Sequence, residues 1–274
     1  MSASSEVVTP AVVQDGRVLR ARVARGRHGT LDVDALPVIE AALRAIDPVQ
    51  TGAVLLFSEG ASFCTGGDVR AFAGAEDRGA YVRDVADSFH RFIVALVECP
   101  VPVVVGVPGW AAGAGLSIVC AADLAVAGRS THVRPAYPGI GFSPDGGMSW
   151  TLPRIIGAGR ARHMLLTDQV LDADAALAAG IVTVVVDDAD VTAEATQTAI
   201  RIAQGPTAAL GRIKRLLAVS PDNSLAAHLE LEAESISASA AGPEGAEGLT
   251  AFTEKRPPRF HQEVGRTTAD PHPR

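Results

Sequence analysis

The chain has little of what metal sites, disulfide scaffolds and nucleic-acid surfaces are built from. Cysteine occurs three times, at Cys64, Cys99 and Cys120. That odd set, without metal-ligand spacing, argues against a disulfide framework and fits a reducing, cytoplasmic compartment. The seven histidines are scattered and no two form an H-x-x-x-H pair, so neither a metal site nor a metal cofactor is expected. Basic residues are outnumbered: the net charge is −7, and the missing basic footprint argues against nucleic acid or anionic membranes as partners. The opening residues, MSASSEVVTP, hold no basic stretch followed by an apolar one, so no secretory leader is expected. Aromatic residues make up only 4% of the 274 positions. A core of small aliphatic side chains is therefore expected, with closely packed helices and parallel strands.

Alanine, valine and glycine are abundant instead. Residues 99–122, CPVPVVVGVPGWAAGAGLSIVCAA, carry no charge and are long enough to cross a bilayer. Pro100, Pro102 and Pro108 break the first half as a helix, and four glycines weaken it further. The stretch reads as a buried strand, a turn and the start of a buried helix. Short apolar runs at 53–57, 103–107, 124–128 and 181–186, with 17–23, read as strands. Between them, 34–46, 80–98, 159–167 and 172–179 show helical spacing; in the second, Val82, Val85, Phe89, Phe92 and Leu96 share a face. After residue 190 the strand signals stop, and 192–204, 206–218 and 223–240 read as helices. The fold class is α/β with parallel pairing, followed by a helical C-terminal part.

Two glycine-rich turns each lead from a buried strand toward a helix. In SFCTGGDVRAF (62–72), Asp68 is placed to cap the helix, and Gly66 and Gly67 allow backbone to approach another group. The turn is either a tight connection or a pair of anion-binding amides. In PGWAAGAGLSI (108–118), the third glycine of a dinucleotide fingerprint is replaced by Ile118, and no Lys-Ser or Lys-Thr closes a phosphate loop. Turns on adjacent parallel strands can aim two N–H groups at one point, which is what an oxyanion hole requires; losing one such donor raises a barrier by about 3 kcal/mol.

Both turns resemble the signature segments of the crotonase, or enoyl-CoA hydratase/isomerase, superfamily. So do GIGFSPDGGMSWTLPRIIGAGRARHMLLTDQVLDADAALAAGIV (139–182) and AFTEKRPPRF (251–260), in the same order. The resemblance covers about residues 10–260. It implies a spiral core of ββα units over 11–204 and a helical region over 205–260 used for trimerisation, with tails at 1–10 and 261–274, the last disordered. It implies homotrimers that can pair into hexamers, an acyl-CoA thioester substrate, and no cofactor beyond the coenzyme A of that substrate. Gly67 and Ala114 would donate the two oxyanion amides. Backbone around Ala61, Phe63, Gly66 and Asp68 would hold coenzyme A. Val69, Phe72 and Trp110 would line the acyl pocket, and Phe252 and Lys255 would lie near the coenzyme A of a neighbouring subunit.

The sequence also departs from the family pattern. The two hydratase glutamates fall at Ser117 and at Tyr137 or Ala136, and hydroxyls cannot replace two carboxylates as proton carriers near neutral pH. Asp145, in GFSPDGGMSW (141–150), matches an aspartate that moves a proton in some isomerase members. Phe142, Pro144, Met148 and Trp150 give it apolar neighbours in sequence; the alternative is an Asx-turn. Tyr137 is a candidate substrate contact or a packing residue. Asp123 is expected to satisfy core backbone groups, and His90 and His163 to serve surface or packing. Arg134, Arg154, Arg160 and Arg162 are either salt-bridged or available to coenzyme A phosphates. The expected activity is a double-bond shift in an enoyl-CoA. The alternatives are a hydratase or lyase with other acid–base groups, and a non-catalytic acyl-CoA binder.

Overall fold

The computed structural model describes residues 10–261, so the two terminal tails lie outside the described residues apart from Pro10 and His261. The chain opens with strands β1 (Val12–Asp15), β2 (Val18–Arg25) and β3 (Thr30–Leu31), helix α1 (Leu36–Arg44) and strand β4 (Ala53–Ser58). Helices α2 (Val69–Gly74) and α3 (Arg78–Val97) follow, then β5 (Val103–Val107), β6 (Trp110–Ala112), α4 (Ala114–Ala121), β7 (Leu124–Gly128) and β8 (His132–Arg134). Next come α5 (Met148–Ile156), α6 (Ala158–Thr167), β9 (Leu171–Asp172), α7 (Ala173–Ala178) and β10 (Val184–Val186). Four helices complete the described chain: α8 (Val191–Ala203), α9 (Thr207–Val219), α10 (Leu225–Ala241) and α11 (Pro243–Thr253).

The apolar runs become a seven-stranded sheet in the order β1-β2-β4-β5-β7-β10, with β3 on the edge of β2. Strands β2, β4, β5, β7 and β10 pair in parallel, and β1 is antiparallel. Alternation along each strand fills two separate cores. Val54, Leu56, Val103 and Val105 join the α1 residues Leu36, Ile39 and Leu43 and the α3 residues Phe89, Phe92 and Leu96. Ala53, Leu55, Val104 and Val126 pack instead with Ala195, Ala199 and Ala203 of α8. Covering both faces is what a parallel sheet needs, and each buried Val or Leu contributes about 1.5–3 kcal/mol. Gly106 lets α8 approach: a Cβ there would sit 3.2 Å from the Ala195 Cβ.

The uncharged stretch 99–122 resolves into β5, β6 and α4, and every α4 residue is buried. No described helix is long and apolar enough to cross a membrane. A smaller sheet, β6-β8-β9, lies beside the first glycine-rich turn, joined to it through the bridge between Cys64 and Ala111.

Two polar anchors tie the C-terminal helices to the core. The Lys214 Nζ on α9 reaches Asp123 Oδ2 at 2.8 Å and the Leu96 carbonyl at 3.1 Å. The same Asp123 oxygen accepts the Val103 N–H at 2.7 Å, so Asp123 satisfies core backbone as expected. At the other end, the Arg17 guanidinium, just before β2, donates to the carbonyls of Ala203 (2.9 Å), Pro48 (3.2 Å) and Val49 and to Thr207 Oγ1 (3.0 Å).

Candidate active site

The two glycine-rich turns touch. A Cβ on Gly113 would lie 3.6 Å from the Gly66 Cα, and one on Gly66 would lie 4.0 Å from the Ala114 nitrogen. Gly66 and Gly113 hold φ of +102° and +56°, which a side chain disfavours. The turns are sewn together by Ala112 N–H to the Cys64 carbonyl (2.8 Å) and Cys64 N–H to the Trp110 carbonyl (3.1 Å). Gly115 makes this possible, since a Cβ there would fall 2.0 Å from the Cys64 oxygen. Asp68 caps α2 by accepting the Arg70 and Ala71 N–H groups, as its position suggests. Gly67 and Ala114, the two expected oxyanion donors, line the same cavity, and neither N–H is taken by another described group. Burial pushes the Cys64 thiol beneath them up to about 12, so it offers no thiolate near neutral pH.

Asp145 lines that cavity too. Of its expected apolar neighbours, Phe142 and Pro144 line the cavity with it, and Met148 and Trp150 do not. Met148 is fully buried in the core, while Trp150 is half exposed and covered by the Arg154 guanidinium 3.7 Å from its ring centre. Met148 and Trp150 begin α5, where two residues of separation turn side chains to opposite sides. The partner of Asp145 is polar. Tyr137 donates its hydroxyl to Asp145 Oδ1 at 2.7 Å. Ser117 on α4 lies 3.4 Å from the same hydroxyl and donates to the Asp145 carbonyl at 3.1 Å. The two positions where the hydratase carboxylates would fall thus flank the aspartate. Burial, then the negative charge of Asp145, drives the Tyr137 phenol well above its ordinary range, so it acts as a proton-bearing donor. Gly146 permits the packing: its φ is +59°, and a Cβ would meet the Phe89 ring at 2.2 Å.

The backbone leading to Tyr137 is unusual. Ala136 holds φ +63°, a conformation that costs a non-glycine residue about 1 kcal/mol. Its N–H is accepted by Asp168 Oδ1 at 2.7 Å, and Asp168 Oδ2 accepts Arg134 Nε at 3.0 Å. Arg134 is therefore salt-bridged rather than free for a phosphate, and this pairing holds the Asp168 carboxyl below its usual range.

The cavity measures about 850 Å³. Val69 and Phe72 of α2 form part of its wall, with Val82, Val85 and Phe89 of α3 and the half-exposed Phe142 stacked on Phe72. His90 of α3, read from sequence as a surface or packing residue, also lines it. Its signal was present: Val82, Ala86, Phe89 and His90 follow the i, i+4, i+7, i+8 spacing of one helical stripe. Other expected contacts are elsewhere. Trp110 does not line the cavity, because its ring stacks on His132 with centroids 4.9 Å apart. The Phe63 side chain is fully buried and its N–H is given to the Pro108 carbonyl at 2.8 Å, so neither is free for a ligand. Ala61 is exposed beside Gly109, whose Cβ would meet the Ala61 oxygen at 2.2 Å. Phe252 and Lys255, expected near the coenzyme A of a neighbouring subunit, sit at the end of α11 and after it, apart from this chain's own cavity, with Phe252 84% exposed. Among the described residues no group of three or more His, Cys, Asp or Glu side chains is placed to hold a metal ion.

The enoyl-CoA hydratase/isomerase family model matches residues 28–263. The 1,2-epoxyphenylacetyl-CoA isomerase of Escherichia coli is 34% identical over 211 residues, 76% of this chain and 80% of that protein. The 4-chlorobenzoyl coenzyme A dehalogenase-1 of an Arthrobacter species is 32% identical over 222 residues, 80% of each chain. Among solved structures, a Mycobacterium abscessus protein assigned as an enoyl-CoA hydratase/isomerase superposes with a TM-score of 0.86 at 33% identity, covering 92% of this chain and 99% of that one. With its touching glycine turns, parallel sheet and matching profile, the chain belongs to the enoyl-CoA hydratase/isomerase family and has its crotonase fold.

Proposed function

We propose that the protein shifts a double bond of an enoyl-CoA by proton transfer through a dienolate. The observation that carries this reading is the placement of Asp145, held by Tyr137 at 2.7 Å, in the cavity lined by Gly67 and Ala114. The thioester oxygen lies between the Gly67 and Ala114 N–H groups, which favour charge developing on it. The Asp145 carboxylate takes a proton from C2 of a 3-enoyl chain. The electron pair of that C–H bond passes into the conjugated system, and the dienolate oxygen is stabilised by the two amides. The resulting carboxylic acid returns its proton at C4, leaving the 2-enoyl thioester with atoms and charge unchanged. One carboxyl suffices for such a shift.

Asp145→Asn tests the assignment. Isomerisation of a 3-enoyl-CoA, followed with solvent deuterium uptake, is expected to fall by about a hundredfold or more. Uptake at the wild-type rate would overturn it.

His90 favours a second reading. An imidazole and a carboxylate lining one cavity supply the two groups that addition of water needs, despite the missing glutamates. A panel of 2-enoyl-CoA, 3-enoyl-CoA and 4-chlorobenzoyl-CoA, the last being the acyl group named for the Arthrobacter relative, separates the two. Turnover that falls in His90→Gln but survives in the 3-enoyl assay assigns the water chemistry to His90.

Self-association belongs to the same proposal. Leu217, Leu225, Ile236, Leu249 and Phe252 are more than 60% exposed along α9–α11, an apolar display that a second and third copy of the chain would cover. Sedimentation at micromolar concentration is expected to show a trimer or a pair of trimers; a monomer would count against it.

A further inference from the structure

The segment Arg134–Tyr137 connects the two halves of the site. At its start, the Arg134 carbonyl accepts the N–H of Gly113 at 3.1 Å. Gly113 directly precedes Ala114, which lines the cavity and whose own N–H is taken by no other described group. At its end, the Tyr137 hydroxyl holds Asp145 Oδ1. Between them Ala136 sits at φ +63°, and nothing in an alanine side chain favours that.

What holds the segment lies outside the cavity. Asp168 closes α6 in a left-handed conformation of its own, φ +54°. Its two oxygens grip the segment at two points, Oδ1 on the Ala136 N–H and Oδ2 on the Arg134 guanidinium. The following turn rests on the same pair, since a Cβ on Gly139 would lie 3.6 Å from Arg134 Nη2 and 3.7 Å from Asp168 Oδ2. The Arg134 side chain is 41% exposed, so the ion pair alone contributes little. The Asp168 side chain is only 12% exposed, and its bond to the Ala136 N–H is the one that fixes the backbone.

We propose that Asp168 is a positioning residue: one carboxylate sets the Arg134–Tyr137 backbone and thereby aligns both the Ala114 N–H and the Tyr137–Asp145 pair. The proposal rests on the reading that Asp145 moves the proton. Its effect is to keep oxyanion stabilisation and proton transfer in register with one another.

Two ligand-free measurements test it apart from any activity. The first is amide hydrogen exchange at Gly113. The second is the ring ¹³Cζ resonance of Tyr137, made unique by Tyr81→Phe because the chain has two tyrosines. In Asp168→Ala, Gly113 exchange is expected to quicken about tenfold or more, and the tyrosine resonance to move toward its position in Asp145→Ala. Asp168→Asn, which keeps an acceptor for the Ala136 N–H, is expected to stay near wild type in both. If Asp168→Ala does not fold, Asp168→Glu displaces the carboxylate by one methylene and is read in the same two ways. In turnover, Asp168→Ala is expected to lower kcat about tenfold with KM within about twofold, and to add less than about twofold in a Tyr137→Phe background. Unmoved Gly113 exchange and tyrosine resonance in a folded variant, or effects of the two substitutions that multiply, overturn the proposal. An enzyme that turns over no enoyl-CoA overturns the proton-transfer reading instead, and the ligand-free measurements still decide Asp168.

Discussion

A carboxylate that shuttles a proton must be held still while keeping one oxygen available. Asp145 meets both needs through a single partner, since Tyr137 occupies Oδ1 and Oδ2 has no hydrogen-bond partner among the described residues. Tyr137→Phe removes the hydroxyl and leaves the ring that fills its buried place. Turnover is expected to fall about tenfold through kcat, with KM and melting temperature nearly unchanged, because the lost bond orients the base and does not bind substrate. Steady-state kinetics beside a thermal melt check this. None of it was visible in the one-dimensional order. Tyr137 and Asp145 are eight positions apart, and the contact depends on the left-handed Ala136 and on two glycines after Asp145. The sequence pointed at both residues without showing that they are partners. It also suggested an apolar shell of Phe142, Pro144, Met148 and Trp150, of which the first two line the cavity while the helical turn of α5 sends the last two apart.

At the level of elements, long apolar runs announced themselves. The strands at 103–107 and 124–128 match their sequence boundaries, the helix at 159–167 starts one residue earlier, and the helices at 192–204 and 206–218 shift by one residue. Strands of two to four residues did not: β1, β3, β6, β8 and β9 carry too few side chains to show alternation and exist only through their pairing. The apolar run at 181–186 forms a strand only at Val184–Val186. Helix α11 also went unread, its glycines and Pro243 weakening the periodic signal. Element contacts offer their own test. Gly115 stands where α4 begins against the first turn, and Gly115→Ala drives a methyl into the Cys64 carbonyl. The start of α4 must retreat, taking the Ala114 N–H with it. Turnover is expected to drop about a hundredfold with retained secondary structure, measured by kinetics and circular dichroism.

Across the whole molecule, the closing segment is fastened by charge. Glu247 on α11 accepts from Arg256 at 2.6 and 2.9 Å and from the Arg259 N–H at 2.6 Å. Those bonds, led by Arg256, pull its carboxyl down to about 2 from 4.5. A depressed carboxyl lends stability that is complete above its unfolded value and disappears as pH falls through the folded one. The segment after α11 is therefore expected to come loose as pH drops from about 4.5 toward 2, and Glu247→Gln to loosen it at neutral pH. Amide hydrogen exchange at the Arg259 N–H, which Glu247 accepts, reads the release across that range.

Arg17 carries a consequence for how the chain is made. Its guanidinium meets Ala203 and Thr207, 186 and 190 positions further along. On a ribosome, the amino-terminal strand emerges long before those acceptors exist. The sheet can nucleate early, but its edge cannot lock until the junction between α8 and α9 has left the exit tunnel. Nascent chains arrested ahead of that junction should remain protease-sensitive at their beginning, and a chain released whole should become resistant in a single step.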